Sequence, residues 1–508
     1  MNLIASTSTF SFFTLISRIL GYVRDILIAI FLGTSLFADA FFVAFRLPNT
    51  FRRLFAEGTF NAAFIPSYAG ELAQDKEQAD QFARNVFNLL FIILLFLVLV
   101  AEIFMPQLIY LIAPGFYKDP EKLKLAIDLS RITFPFLFFI CLASFFAAIL
   151  NSYNKFAVAA AAPIILNVIL IGSLFYSQWL SISDVLTLSY AVSFAGFLQL
   201  LILLFFVRKN FKPILSIKIK IDDKIKFFFG KLLPSIFSSG VTQINILIGT
   251  IIASFQAGAV SYLYYADRVY QINLAVAGIA VGTVMLPELS KYIKNNNYEQ
   301  SMNLQNRALE LCLFLSIPAG TALVLASEEI ITSLFGYGSF NYESVTNTAI
   351  ALTFFAFGVP AFSILKIFSN FFFARNNTKL PFYLSVISVI INILISVMFF
   401  RKLGFVIIPI ATSISSWINV ILHFYYIKKQ NLHNFDRTFI YKFSRMIFST
   451  AVMGAILYFM LGFSSDKFDY NESWKAVYLF IIVSVSLLSY FLVSNYSGAF
   501  KFKDIKLR

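Results

Sequence analysis

Apolar stretches of roughly 20 residues recur about fourteen times along the chain, each long enough to cross about 30 Å of hydrocarbon as a helix. They fall near 10–32, 36–67, 85–113, 130–150, 157–177, 186–207, 227–254, 259–288, 308–335, 346–373, 381–400, 404–427, 441–463 and 475–494. Short polar or basic segments separate them. The pattern predicts an all-α, polytopic membrane protein. The second stretch is long and contains Pro48, which removes a helical hydrogen bond and predicts a kink.

Charge then sets the topology. Taking the N-terminus as cytoplasmic, the inside loops collect Lys and Arg: 208–231, 291–307, the Arg375–Lys379 turn, 428–445 and the tail Lys501–Arg508. The outside loops 33–35, 178–185, 255–258 and 336–345 carry none, with Lys118–Lys124 and Arg401–Lys402 as exceptions. The positive-inside bias places both termini in the cytoplasm and asks for an even number of spans. The net charge of +14 is thereby spent on orientation, not on binding nucleic acid. Only 13% of residues are charged and 59% are hydrophobic, well away from the roughly 25% charge of soluble domains.

An internal repeat runs at about 220 residues. Gly115 matches Gly336, Thr133-Phe134 matches Thr353-Phe354, Asn151-onward resembles Arg375-onward with Asn167 opposite Asn392, and Arg208-Lys209 matches Lys428-Lys429. Six spans per repeat is an even number, so the halves share one orientation. The expected organisation is a six-helix lobe at 1–210, a second at 211–430, and two additional transmembrane helices with a basic cytoplasmic tail at 431–508. Two pseudosymmetric lobes flanking a cleft are the architecture of an alternating-access transporter.

Against this apolar background the first two stretches carry Arg18, Arg24, Asp25, Asp39, Arg46, Arg52, Arg53 and Glu57. A charge at mid-bilayer costs roughly 2.5–3.5 kcal/mol on insertion scales, so five arginines cost on the order of 10 kcal/mol. Such groups persist where they line a wet cavity, pair with acids or serve a function. On a helix, Thr14, Arg18, Gly21 and Asp25 share a face, while Arg24 lies about 120° from Arg18, near Ser17. Arg18 and Asp25 are too far apart to pair directly and are expected to find partners on other spans. Arg53 and Glu57 stand four apart and are spaced to pair; a snorkelled cluster at the cytoplasmic end is the plainer alternative for Arg52, Arg53 and Glu57. The second half offers Asp267-Arg268 in an aromatic segment, equally readable as an interfacial anchor, and Lys366 as a solitary cation. Arginine in a partly dry cavity selects phosphate or carboxylate by bidentate contact. No nucleotide loop, catalytic serine arrangement or His/Cys cluster accompanies these residues, so no enzyme, cofactor or metal site is expected. Cys141 and Cys312 lie far apart within apolar segments, and His423 and His433 are isolated.

The stretches SRILGYVRD from Ser17, DAFFVAFRLPN from Asp39, RRLFAEGTFNAAFIP from Arg52 and YYADR from Tyr264 closely resemble the MurJ (MviN) lipid II flippase family of the multidrug/oligosaccharidyl-lipid/polysaccharide exporter superfamily. The resemblance covers the whole chain. It implies fourteen transmembrane helices and translocation of lipid II, an undecaprenyl-pyrophosphate glycopeptide, from the cytoplasmic to the periplasmic leaflet of the bacterial inner membrane for peptidoglycan synthesis. The partners implied are lipid II and membrane lipids, with a monomer as the working unit and other cell-wall synthesis proteins as neighbours. The resemblance assigns a central cavity and substrate binding to Arg18, Arg24, Arg52 and Arg268 and importance to Asp25, Asp39 and Glu57; Ser17, Asp25, Asp39 and Glu57 are expected to gate the cavity or orient its arginines. Arg46, Arg53, Asp267 and Lys366 are secondary candidates. Some relatives hold sodium through carboxylates in the second lobe. Here no Asp or Glu occurs from Lys224 to Ala266 or from Ser344 to Phe400, so no such site is expected. A flippase for another polyprenyl-pyrophosphate-linked glycan is the alternative, because it shares the diphosphate.

Overall fold

The structure is a computed structural model that describes residues 3–55, 59–216, 222–435 and 437–500. Those residues form helices joined by short turns, and the chain divides into two compact units, Met1–Ser261 and Tyr262–Arg508. The first contains α1 (Leu3–Leu32), α2 (Leu36–Phe55), α3 (Thr59–Leu72), α4 (Lys76–Ile103), α5 (Met105–Ile112), α6 (Pro120–Thr133), α7 (Phe136–Ser152), α8 (Phe156–Leu180), α9 (Asp184–Val207) and α10 (Asp223–Ala253). Helix α11 (Ala259–Leu274) straddles the boundary. A π-helical turn, Ala275–Ala280, joins it to α12 (Val281–Lys294). There follow α13 (Tyr298–Leu325), α14 (Ser327–Phe335), α15 (Tyr342–Ala356), α16 (Val359–Phe373), α17 (Lys379–Leu403), α18 (Ile407–Lys429), α19 (Arg437–Phe463) and α20 (Lys475–Ser497).

The repeat is visible helix by helix. Helices α4 to α9 recur in order and length as α13 to α18: Lys76–Ile103 returns as Tyr298–Leu325, and Phe156–Leu180 as Lys379–Leu403. Even the turns correspond. Asn154 and Asn376 both take left-handed backbone, with φ of 61° and 58°, after α7 and α16. Asparagine tolerates that conformation because its short polar side chain satisfies the local backbone.

Among the described residues nine helical segments are long and apolar enough to cross a membrane, or ten if α15 and α16, bent by 41°, count as one span. Several expected spans are built from two helices. The stretch at 85–113 breaks between α4 and α5, and the one at 130–150 extends back through α6. Pro48 lies inside α2 without ending it.

Aromatic packing fills both units. In the first, Phe64 stacks on Tyr68 at 5.4 Å and meets Phe145 edge-on at 5.2 Å, while Phe60, Phe82 and Phe228 close the cluster between α3, α4, α7 and α10. In the second, the core gathers Phe314, Phe371, Phe372, Met446, Met453 and Tyr490. Here the last two helices are fastened: Tyr490 donates to the Phe314 carbonyl at 2.8 Å, and Lys442 pairs with Glu310 at 2.8 Å. Lys475 is wholly buried. Its ammonium donates to the carbonyls of Gly336 and Tyr470 at 2.7 and 2.6 Å and lies over the Tyr337 ring. Outward faces remain apolar, as at Phe96, Trp179, Phe480 and Leu492.

Candidate functional site

The charges of α1 divide between two environments. Arg18 is exposed, and among the described residues no hydrogen bond or ion pair engages it. Two turns on, Arg24 and Asp25 are buried, 7% and 2% exposed. Arg24 Nε and Nη2 donate to one oxygen of Asp25 at 3.0 and 2.7 Å, and Nη1 donates to Asn167 Oδ1 on α8 at 2.8 Å. The Asn167 amide in turn donates to the Ser17 carbonyl at 2.8 Å. Ser17, Arg24, Asp25 and Asn167 thus form one knot between α1 and α8. Asp25 is thus ion-paired with its own chain neighbour, Arg24. Adjacent helical positions do not face each other. The long Arg side chain nevertheless turns back onto the carboxylate because Asn167 holds its other edge.

Asp39, at the start of α2, is fully buried and accepts four hydrogen bonds. They come from Lys122 Nζ at 2.6 Å, Gly258 N at 2.9 Å, Ser261 N at 3.0 Å and Ser261 Oγ at 2.6 Å. Four donors, one of them an ammonium, match both the lone pairs and the charge of this carboxylate. Lys122, in the first turn of α6, is itself buried and sits 4.2 Å from the Phe116 ring centroid. Sequence reading had placed Lys122 in a loop as a topology exception; it is the buried counter-ion of Asp39. Its one sequence signal is a lysine on the side where the charge rule expects none.

Farther along α2 the arginines are half-buried. Arg46 donates to Thr250 Oγ1 on α10 at 2.8 Å. Arg52 Nε donates to Asn49 Oδ1, one turn back, at 2.9 Å. Arg53 follows it in the last turn. Glu57, and any pair it forms with Arg53, lies outside the described residues.

In the second unit, Arg268 Nη2 donates to Tyr264 OH at 3.0 Å, with the guanidinium 4.6 Å from that ring. Asp267 accepts from Gln271, one turn on. Lys366 lies on α16, its stem passing beside Gly278 in the π-helical turn. Asn370, one turn farther, donates to the Gly282 carbonyl at 2.7 Å. A π-turn inside a helix marks functional sites often enough to note its position between Arg268 and Lys366. The structure therefore joins Ser17, Arg24 and Asp25 in one network, gives Asp39 a second, and leaves Arg18 open. Asn167, Lys122 and Ser261 are the members that sequence reading did not assign.

A sequence profile of the family described as "Lipid II flippase MurJ" matches residues 28–479. A protein of Rhizobium meliloti named "Probable lipid II flippase MurJ" is 38% identical over 502 residues, covering 97% of this chain and 94% of its own. One of the same name from Rickettsia prowazekii is 38% identical over 435 residues, 85% of each chain. Among solved structures, "Lipid II flippase MurJ, inward closed conformation" superposes with a TM-score of 0.82 at 29% identity, covering 96% of this chain and 98% of the other. An inward-facing multidrug transporter of the MATE family, of the MOP superfamily, shares the fold with a TM-score of 0.68 at 17% identity, covering 82% and 94%.

Proposed function

The chain belongs to the lipid II flippase MurJ family, and from that premise we propose that it moves lipid II between membrane leaflets by alternating access. It is a multi-pass membrane transporter. The direction we assign is cytoplasmic to periplasmic, across the bacterial inner membrane, with both termini inside and a single chain as the working unit. Residues 1–210 and 211–430 act as the two moving lobes, and 431–508 as an accessory pair of helices beside the lipid tail.

The observation that carries the reading is the buried charge on α1 and α2 in a chain otherwise built for hydrocarbon. Lipid II presents a diphosphate and peptide carboxylates. Arg18 has its guanidinium open to receive them. Arg24 is preorganised: two of its nitrogens rest on Asp25, one on Asn167, so its plane is fixed before substrate arrives. A phosphate oxygen competes with Asp25 for the same fork, which favours exchange of one bidentate partner for another over creation of a bare charge. Arg52 and Arg268 supply further donors, and Arg46, Arg53, Asp267 and Lys366 tune the field around them. Asp39 acts as a latch. Its four bonds draw α2, α6 and the first turn of α11 together, and their release accompanies opening on that side. Ser17, Asp25 and Glu57 orient the arginines.

Reconstitution tests this directly. Vesicles holding the purified chain and lipid II should expose lipid II to an impermeant reagent on the opposite face far faster than protein-free vesicles. Equal exposure rates in the two preparations would remove the transport reading.

A further inference from the structure

We infer that the first unit carries a site for an acidic phospholipid, phosphatidylglycerol in type, where the turn before α8 meets the end of α9. An open hollow of about 360 Å³ is lined by Lys155, Ala157, Val158, Phe205, Phe206 and Lys209. Its floor is apolar and its rim holds two ammonium groups. Lys155 is fixed, donating to Asn210 Oδ1 at 2.7 Å, and retains two further N–H donors directed by that anchor. Phe205 and Phe206 are 67% and 45% exposed in the last turn of an apolar 24-residue helix, so they sit at the membrane boundary with Lys209 just beyond it. Rings at that depth beside paired lysines match a lipid amphiphile: acyl chain against phenyl and alanine, phosphate between the amines.

Charge chooses the occupant. Among the described residues no acidic side chain lines the hollow. A zwitterionic lipid would bring its own cation against Lys155 and Lys209; a glycerol headgroup leaves the phosphate charge uncompensated. The position also has a history in the sequence. The asparagine–lysine turn and the basic exit, two of the marks that recur in both halves, are what the fold brings together here. In the second unit the same two segments touch again, where Arg375 Nη2 donates to the Leu432 carbonyl at 3.1 Å. The site is separate from the buried networks of α1 and α2, and holds whatever the transported substrate proves to be.

The test uses the full chain in phosphatidylcholine nanodiscs doped with a photoactivatable phosphatidylglycerol, with the labelled peptides mapped by mass spectrometry. Label is expected on the segments around 155–158 and 205–209, about tenfold or more above that from a photoactivatable phosphatidylcholine, since each lysine contributes about fivefold near a charged headgroup. The double variant Lys155→Gln/Lys209→Gln should lose that excess while keeping label on other helices. Excess glycerol 3-phosphate should not compete, because it lacks the chain that fills the hollow. Equal labelling by the two lipids overturns the assignment, as does undiminished label in a folded double variant. Full competition by glycerol 3-phosphate would make this a free-phosphate site instead. The lipid comparison on the unsubstituted protein stands even if the double variant fails to fold.

Discussion

Asp39 and Lys122 carry the clearest energetics at the scale of single residues. Removing one partner of a buried pair strands the other's charge, at about 3–5 kcal/mol. Lys122→Met and Asp39→Asn should each lower the unfolding temperature in detergent strongly. The double variant should lose clearly less than the sum, because the two groups share one network. Strict additivity in that thermal cycle would mean the pair is not coupled. Asn167→Ala removes an acceptor from Arg24 and a donor from the Ser17 carbonyl. A loss of about 1–3 kcal/mol is expected from the unsatisfied groups, together with slower lipid II translocation at unchanged membrane abundance. Translocation at the parental rate would confine Asn167 to a packing role. The sequence pointed to Arg24, Asp25 and Asp39, because charge in an apolar stretch is conspicuous. It could not point to Asn167 or Ser261. Polar uncharged residues are common in membrane helices, and only the crossing of α1 with α8, or of α2 with the turn before α11, gives them meaning. His423 and His433, isolated in the sequence, are both buried; His433 makes a 2.9 Å hydrogen bond to Asn306 between aromatic rings.

Helices were legible as apolar runs, and the repeat as recurring turn marks. Their breaks were harder to see. The split between α4 and α5 falls inside one expected span, so averaged hydropathy passes over it, although Glu102 and Pro106, the latter in the first turn of α5, flank it; its counterpart between α13 and α14 lies at Ala326. Close approaches are likewise invisible until the elements are placed. A Cβ on Gly115 would stand 2.2 Å from the Ser254 carbonyl oxygen, and the Gly115 amide donates to Ser254 Oγ at 2.9 Å. Gly115→Ala should therefore destabilise the turn before α6 by about 1–3 kcal/mol through overpacking. Gly172→Ala, in α8 with nothing within 4 Å, should be neutral or stabilising by up to about 1 kcal/mol. Thermal melts of the two variants should move in different directions; matching shifts would contradict the packing described at Gly115. For α19, Lys442→Met should loosen its hold on α13 by exposing Glu310 to an apolar neighbour, seen as faster proteolysis in the segment following Ile427.

On the scale of the whole molecule, repeated helices in two units explain how one chain can present a site to either side. The arginines of α1 and α2 make an anionic substrate the trigger of the proposed cycle. Membrane potential contributes about 2.3 kcal/mol per elementary charge moved across 100 mV, and would bias any step of the proposed cycle that moves net charge. The central claim of the proposed function is that arginines of this chain, Arg24 and Arg268 among them, bind the diphosphate of lipid II. Growth of flippase-depleted cells supplied with Arg24→Ala or Arg268→Ala tests it most directly, with membrane levels of each variant measured alongside. Both variants should be present at normal abundance and fail to sustain growth. Full rescue by either one would contradict the clamp.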